Sequence, residues 1–377
     1  MNTTWRQCTI GDVCDTISNT YNSNAQQVVL INTSDVLEGK VLNHIYIPNE
    51  NLKGQFKKTF EEGDILYSEI RPQNKRYAYI DFAPINYIAS TKLMVIRNKN
   101  IVKSKYLYYF LQSDKIISEL QMLAETRSGT FPQITFNELS KLSIKIPPLP
   151  EQDRIISILD SICKKIDINQ QINDNLEEQA KALFKSWFVD FDRNEWVHCE
   201  LGDITLITAG GDRPSKYTNK KTIECHVPIY SNGIDNEGLY GYTNVAKIHE
   251  ESITISARGT IGYVCLRLEP YVPIVRLISI IPNKKELSAK YLYLWALTQN
   301  ITGTGTTQQQ LTVPIFRKTP ISIPSDTKLK QFNSIADPLF SQIESNKKEN
   351  IKLSTLRDTL LPKLMSGEIS VEEVSFD

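Results

Sequence analysis

The stretch that decides the fold is residues 147–187, which read PPLPEQDRIISILDSICKKIDINQQINDNLEEQAKALFKSW. Its prolines end a strand-like segment, and Glu151 and Asp153 then place negative charge where a helix begins, which the helix dipole favours. Seam positions follow at alternating spacings of four and three: Ile155, Leu159, Ile162, Ile166, Asn169, Asn173, Leu176, Ala180, Leu183 and Trp187. A heptad seam of this length predicts a long coiled-coil helix.

A second seam lies 177 residues further along: Phe332, Ala336, Leu339, Ile343, Asn346, Asn350, Leu353, Arg357, Leu360 and Leu364. If the two helices run antiparallel, pairing residues whose numbers add to 519 places Asn169 opposite Asn350 and Asn173 opposite Asn346. A buried amide costs stability unless it finds a partner, but it specifies register. We therefore predict an antiparallel pair locked by these asparagines. Two independent amphipathic helices, each packed on its own domain, are the alternative.

Other segments repeat in the same order. WRQCTIGDV at 5–13 matches WVHCELGDI at 196–204, KYLYYF at 105–110 matches KYLYLW at 290–295, and SIKIP ending at Pro147 matches ISIP ending at Pro324. Two copies are too few for a solenoid, so we predict a duplicated α/β (α+β) chain with pseudo-twofold symmetry. The predicted parts are a globular domain over 1–150, a helix over 151–193, a second globular domain over 194–324 and a C-terminal helix over 325–377.

The composition is that of a globular protein with no net charge. The 377 residues contain 43 Lys+Arg and 43 Asp+Glu, and neutrality by itself argues against a basic nucleic-acid-binding surface. By predicted part, the basic and acidic residues number 17 and 14 (+3), 6 and 9 (−3), 13 and 11 (+2), and 7 and 9 (−2). The domains are thus weakly basic and the helices acidic. With no apolar run of membrane-spanning length, we expect a soluble cytoplasmic protein.

Motifs of the common catalytic and metal sites are missing from the sequence. There is no G-x-x-x-x-G-K-[ST], no G-x-G-x-x-G, no H-E-x-x-H and no [ND]-P-P-[YF]. The six cysteines form no C-x-x-C pair, and the four histidines show no ligand spacing. We therefore predict a non-catalytic chain without a metal site, although an enzyme lacking these motifs stays an alternative.

Candidate DNA contacts lie in polar loops at matching places of the two copies. RPQNKR and ETRSGTFPQIT in the first copy correspond to ITISARGTIGYV and TGTGTTQQQLT in the second. Arginine can bond guanine, and glutamine can bond adenine, through two hydrogen bonds. The predicted contacts are Arg71, Gln73, Lys75, Arg76, Arg127, Ser128, Thr130, Gln133, Arg213, Lys216, Arg258, Thr260, Thr304, Thr307 and Gln308. Ordinary solvated loops are the alternative.

The duplicated layout, the segment KIPPLPEQDRI, the openings IGDV and LGDI, and the closing LPKLMSGEI resemble the specificity subunit of type I restriction-modification systems. The resemblance covers essentially the whole chain. It implies two target-recognition domains that each read half of a bipartite DNA sequence and are held apart by antiparallel helices. In the second copy IPSDTKLKQF stands where PPLPEQDRI would be, and it keeps Pro324 but lacks the Glu-Gln pair.

The same resemblance implies partners and cofactors. Two methyltransferase subunits and the restriction subunits would join this chain on double-stranded DNA, and S-adenosylmethionine, ATP and Mg would be bound by those subunits. A coiled-coil scaffold without DNA specificity is the alternative function. The predicted partner interface comprises Phe184, Trp187, Phe188, Leu360 and Leu364. Burial of the aromatic residues against the adjacent domain is the competing interpretation.

Overall fold

The computed structural model describes residues 5–50, 52, 54–126, 132–190, 196–283, 285, 287–301 and 311–374. The chain divides into two compact units. Unit 1 contains residues 1–168 and 349–377, and unit 2 contains residues 169–348.

Unit 1 combines short strands with helices. Its strands are β1 (Arg6–Thr9), β2 (Cys14–Ile17), β3 (Gln27–Ile31), β4 (Val36–Leu37), β5 (Lys40–Val41), β6 (Ile47–Pro48), β7 (Phe56–Lys58), β8 (Ile65–Ser68), β9 (Tyr77–Tyr79), β10 (Tyr87–Ser90), β11 (Leu93–Asn98) and β12 (Ser143–Ile146). Its shorter helices are α1 (Ile10–Val13), α2 (Ser104–Leu111), α3 (Asp114–Glu125) and α4 (Phe136–Leu139).

Unit 2 is built the same way around fewer strands. Its strands are β13 (Val197–Glu200), β14 (Thr205–Ala209), β15 (Val227–Tyr230), β16 (Leu239–Thr243), β17 (Ser252–Ile255), β18 (Val264–Arg267), β19 (Val272–Pro273), β20 (Ile278–Pro282) and β21 (Pro320–Ile323). Its shorter helices are α6 (Leu201–Ile204), α7 (Ala289–Leu297) and α8 (Val313–Arg317).

Two long helices confirm the helical seams. Helix α5 spans Leu149–Phe184 and continues into a π-helical turn over Lys185–Val189, and α9 spans Asp326–Ser366. Each helix belongs to unit 1 at one end and to unit 2 at the other. Among the described residues, no helix combines the length and the apolar character that crossing a membrane requires.

The internal repeat is confirmed by strand order. The antiparallel sheet of unit 1 has the order β2-β11-β8-β9, and that of unit 2 has the order β14-β20-β17-β18. A parallel pair accompanies each sheet, β3 with β10 and β15 with β19. Each unit also pairs its first strand with the strand that precedes its long helix, β1 with β12 and β13 with β21. The two copies therefore share one framework.

The repeated Gly-Asp pair has a structural role in both copies. Asp12 accepts hydrogen bonds from the backbone and the hydroxyl of Thr9, which caps α1 and lowers the pKa of the Asp12 carboxyl. Asp203 likewise accepts from the backbone of Glu200. At the adjacent glycine another segment of the same chain lies close, since a Cβ on Gly11 would lie 3.1 Å from the Cβ of Ser140. A larger residue at this position would force the chain segments apart.

The repeated KYLY segment anchors each globular part to its long helix. Lys105 on α2 pairs with Asp160 of α5 at 2.8 Å, and Lys290 on α7 pairs with Asp337 of α9 at 2.9 Å. The hydroxyl of Tyr106 donates to the carbonyl of Lys145 at 2.8 Å, as the hydroxyl of Tyr291 does to its own neighbouring strand. The sequence repeat thus preserves contacts between a short helix and the elements around it.

The helix seams run antiparallel within each unit. In unit 2 the buried amide of Asn346 donates to the amide oxygen of Asn173 at 2.8 Å, which is one of the two pairs that the register predicts. In unit 1 Asn350 donates to the backbone carbonyl of Ile166 at 3.3 Å. Each unit therefore contains both helices, and the alternative of two independent helices is wrong. Pairing of Asn169 with Asn350 stays a prediction.

The predicted partner interface is wrong for three of its residues. Phe184 is 3% exposed and Phe188 is 2% exposed, and both pack into the core of unit 2. Leu364 is fully buried in the core of unit 1. Trp187 and Leu360 are partly buried against the same cores. The physical reason is that the globular part of each unit covers the end of the long helix, so these side chains stabilise their own unit.

Candidate nucleic-acid interface

The loop after β8 carries four of the predicted DNA contacts in a constrained conformation. Arg71 (φ 45°) and Lys75 (φ 52°) adopt left-handed backbone geometry on either side of a 3₁₀ turn over Pro72–Asn74. Left-handed geometry costs a non-glycine residue about 1 kcal/mol or more. It persists only where surrounding contacts impose it.

Those contacts come from several elements of unit 1. The buried side chain of Gln121 on α3 accepts the backbone N–H of Gln73 at 3.2 Å. Arg76 donates to the backbone carbonyls of Ser34 at 3.0 Å and Val36 at 3.4 Å. Lys75 lies 3.6 Å from the carboxylate of Asp114. Lys75 and Arg76 thus hold the loop in place.

Of the four predicted residues in this loop, Arg71 and Gln73 are exposed, as is the neighbouring Asn74, whereas Lys75 and Arg76 are half-buried. Arg71 and Gln73 therefore have the exposure that contact with DNA requires.

Gln133, a predicted DNA contact from the second polar segment of unit 1, lies beside this loop. Its backbone forms an antiparallel bridge with Ile70, and the N–H of Arg71 donates to the carbonyl of Pro132 at 3.1 Å. Lys92, which the sequence analysis did not select, donates to the side-chain oxygen of Gln133 at 3.3 Å. Lys92 could not be found from local sequence, because only the strand order brings the β10–β11 connection to this loop.

In unit 2 the equivalent loop follows β17 and presents Arg258 and Thr260, which are both exposed. Arg71 and Arg258 lie on equivalent loops, one position apart by strand pairing. Ile65 pairs with Ile96 of the central strand β11, and Ile253 pairs with Ile280 of the central strand β20. Arg71 lies six residues after Ile65, and Arg258 lies five residues after Ile253.

The β19–β20 connection reaches the Arg258 loop through one side chain. Asn232 donates to the carbonyl of Val275 at 2.6 Å and accepts the N–H of Ala257 at 2.8 Å. This link places Arg276, an exposed residue with a φ of 61°, on the connection next to Arg258. Like Lys92, Arg276 has no local sequence signal, because strand order alone brings its connection to the loop.

Arg213 and Lys216 lie on another part of unit 2 and differ in how they are engaged. The guanidinium of Arg213 lies 3.9 Å from the centroid of the Tyr217 ring and donates to the Tyr240 hydroxyl at 3.1 Å. Stacking of this kind orients an exposed guanidinium. Lys216 pairs with Glu224 at 2.7 Å, and this hydrogen bond lowers the pKa of the Glu224 carboxyl. The charge of Lys216 is therefore balanced locally.

The remaining predicted contacts cannot be located. Arg127, Ser128 and Thr130, and likewise Thr304, Thr307 and Gln308, lie outside the described residues. Across the part of the chain that the structure does describe, no three His, Cys, Asp or Glu side chains are grouped as a metal site requires. The six cysteines are free thiols, and burial raises the pKa of Cys14 to about 12.

Comparison with known proteins gives a consistent result over the whole chain. The sequence model described as "Type I restriction modification DNA specificity domain" matches residues 2–178 and 193–355. The type I restriction enzyme HindI specificity subunit of Haemophilus influenzae is 33% identical, covering 97% of this chain and 99% of its own. The MjaIX specificity subunit of Methanocaldococcus jannaschii is 28% identical, covering 78% of this chain and 77% of its own.

A solved structure shares the fold. The S subunit of a type I restriction-modification system from M. genitalium has a TM-score of 0.53 at 18% identity, covering 97% of this chain and 96% of its own. At this identity the similarity supports the architecture, with its two copies and long helices.

Proposed function

The chain belongs to the DNA specificity subunits of type I restriction-modification systems, and on that premise we propose that each of its units reads one half of a bipartite DNA target. The observation that carries this proposal is the repeated framework. Both units present a loop at the same place, after β8 and after β17, on sheets of the same strand order. The loops differ in sequence, as readers of different half-sites should.

The long helices then set the spacer between the half-sites. Helix α5 has 36 residues and α9 has 41, so at about 1.5 Å per residue they are roughly 54 and 62 Å long. One turn of B-DNA is about 34 Å. Each long helix exceeds one turn of B-DNA and has one end in each unit, so a change in helix length should change the spacer.

The chain acts with partners that supply the chemistry. Two methyltransferase subunits and the restriction subunits bind S-adenosylmethionine, ATP and Mg, while this chain supplies sequence recognition in the cytoplasm without a catalytic site of its own. Because Phe184 and Phe188 are buried, the methyltransferase subunits bind exposed apolar residues of the long helices instead. These include Ile351, which is 67% exposed in unit 1, and Ile335, which is 46% exposed in unit 2.

Mapping of methylated DNA tests this function. The full-length chain is purified with its methyltransferase subunit, and the methylated sites are mapped for the native chain and for a variant with seven residues added to both long helices. We expect a bipartite target from the native chain. The longer variant should keep both half-sites and change only the spacer.

A matched control adds seven residues to the exposed connection at Gly54, outside both long helices, and should leave the spacer unchanged. A continuous target, or a spacer that ignores helix length, would overturn the proposal. A chain that co-purifies with the methyltransferase but produces no sequence preference would support the scaffold alternative.

A further inference from the structure

Each unit places two cations on adjacent connections at the same edge of its sheet. Resting on the proposed function, we propose that each unit has an equivalent site for the DNA phosphate backbone. Lys92 of unit 1 and Arg276 of unit 2 occupy equivalent positions on these sites, and Arg71 and Arg258 join them from the adjacent, equivalent loops. The residues between and around them, which differ between the units, then read the bases.

In unit 1 the two connections are joined directly. The N–H of Glu69 donates to the carbonyl of Lys92 at 3.0 Å, and Arg71 follows two residues later. The Lys92 ammonium lies 3.8 Å from the Glu69 carboxylate, and its side chain stays 49% exposed. This long, solvated ion pair contributes little, so the ammonium can turn to a phosphate at small cost.

In unit 2 the same two connections are joined through Asn232. Its side-chain amide forms hydrogen bonds with the backbones of Val275 and Ala257. These residues directly precede Arg276 and Arg258. A third segment, which contains Ile134 in unit 1 and Leu311 in unit 2, also contacts these connections in both units. The N–H of Ile134 donates to the Glu69 carbonyl at 2.8 Å, and the N–H of Leu311 donates to the Ala257 carbonyl at 3.1 Å.

Residues that the two units share suit phosphate contact, and residues in which they differ suit base contact. Half-sites of different sequence present different base edges but the same phosphates. A cation kept at equivalent positions, as Lys92 and Arg276 are, therefore suits the phosphates, which guanidinium and ammonium groups bind well. Gln73 and Thr260, which each follow an arginine by two residues but differ in chemistry, suit the bases.

Salt dependence of binding tests the proposal. The full-length chain assembled with its methyltransferase subunits is titrated with a duplex containing the mapped target and with a scrambled duplex, over a range of salt concentrations. Arg71→Gln and Arg258→Gln should each weaken binding to both duplexes by the same factor, about tenfold for one charge-assisted hydrogen bond. Each should also reduce the slope of log K against log salt by about 0.9.

Matched variants separate this role from its alternatives. Lys92→Gln and Arg276→Gln should behave like the two arginine variants, and Arg71→Lys should keep the native slope because it keeps the charge. Arg6→Gln removes an exposed cation from β1 of unit 1 and should leave the slope unchanged.

Two results would overturn the proposal while leaving the proposed function intact. One is a loss confined to the target duplex, with relaxed methylation at one base position, which would make the arginine a base reader. The other is an unchanged slope in variants of an assembly that still prefers the target duplex. If the native assembly itself fails to prefer the target duplex, the proposed function fails as well.

Discussion

Unit 1 and unit 2 share a framework but differ where the globular part faces the long helices. Strand pairing identifies the corresponding positions, since Ile65 pairs with Tyr79 and Ile253 pairs with Leu266. Tyr79 and Leu266 are therefore equivalent residues with different chemistry. The contrast extends to the residues around them.

Unit 1 has an open cavity, lined by both polar and apolar side chains, at this place. Its volume is about 870 Å³, and its lining includes Tyr79, Tyr108, Cys163 and Arg357. Arg357 lies at a seam position of α9 and bonds to Asp358 at 2.9 Å. Here a charged residue lies between Leu353 and Leu360 in the seam, and the interface with the helices is loosely filled.

Unit 2 fills the corresponding place with rings and a buried charge. Phe340, at the position equivalent to Cys163, packs edge-on against Tyr293 with ring centroids 6.0 Å apart. The Arg267 guanidinium is 4% exposed, lies 3.5 Å from the Tyr230 ring centroid and contacts the Glu237 carboxylate at 3.3 Å. Glu237 also pairs with Lys347 of α9 at 2.7 Å.

The contrast separates what the duplicated fold requires from what each copy can change. Both units keep the lysine that ties the short helix to the long one, Lys105 and Lys290. The side chains packed between those anchors are free to differ, provided that every buried charge finds a partner. One framework can thus carry two units of unequal stability.

The largest expected difference between the units is in the stability lost when Phe188 or its equivalent residue Met365 is replaced by alanine. Phe188→Ala should destabilise unit 2 by about 4 kcal/mol, because the ring is buried and lies within about 5 Å, centroid to centroid, of Phe332 and Tyr291. The equivalent Met365→Ala should destabilise unit 1 by about 2 to 3 kcal/mol, since Met365 is a smaller, unbranched side chain that is 6% exposed in the core of unit 1. Urea unfolding with hydrogen exchange followed separately in β20 and β11 measures both losses.

This pair of variants also tests the corrected interface. If Phe188→Ala left the stability of unit 2 unchanged and instead prevented co-purification with a methyltransferase subunit, the docking interpretation of the aromatic cluster would return. We expect assembly to survive at temperatures where the variant stays folded.

A smaller difference in lost stability should come from substituting two glutamates that lie in similar turns. Glu38 and Glu237 both have left-handed backbone geometry and precede a glycine of positive φ. Glu237→Gln should destabilise unit 2 by about 1 to 2 kcal/mol, because it removes the carboxylate from the buried Arg267 while its own exposure limits the loss. Glu38→Gln should cost less than about 0.5 kcal/mol, since its partner Lys75 lies 4.0 Å away at the surface.

Chemical denaturation of the two variants, side by side, checks this expectation. Equal losses from Glu38→Gln and Glu237→Gln would mean that the buried guanidinium draws its stabilisation from the Tyr230 ring and the backbone carbonyl of Glu237. The contrast between the units would then lie in their aromatic residues alone.

The features that the sequence predicted are those with a local or periodic signature. The heptad spacing predicted both long helices, and the sum of residue numbers predicted the pairing of Asn173 with Asn346. Lys92 and Arg276 escaped notice because non-local strand pairing creates their positions. The Phe188 cluster was misassigned because apolar bulk on a helix does not indicate whether the same chain or a partner covers it.

The smallest expected effect concerns one carboxyl group on α9. Burial raises the pKa of Glu344, which faces Lys347, Lys348, Glu237 and Glu269. A carboxyl whose pKa is raised on folding lowers stability as the pH increases from its unfolded pKa through the folded one. Glu344→Gln should therefore stabilise unit 2 by about a few tenths of a kcal/mol at pH 7 and leave its stability unchanged near pH 4.

Asp167 supplies the matched control in unit 1, because it lies at the position equivalent to Glu344. It is 43% exposed and pairs with Lys40, so Asp167→Asn removes a favourable surface interaction and should not stabilise at any pH. Unfolding of both variants is compared across this pH range. A gain from Glu344→Gln that is the same at pH 4 and pH 7 would show that ionisation of this carboxyl is not its cause. A gain confined to neutral pH would show that the filled interface of unit 2 carries a cost of buried charge that unit 1 avoids.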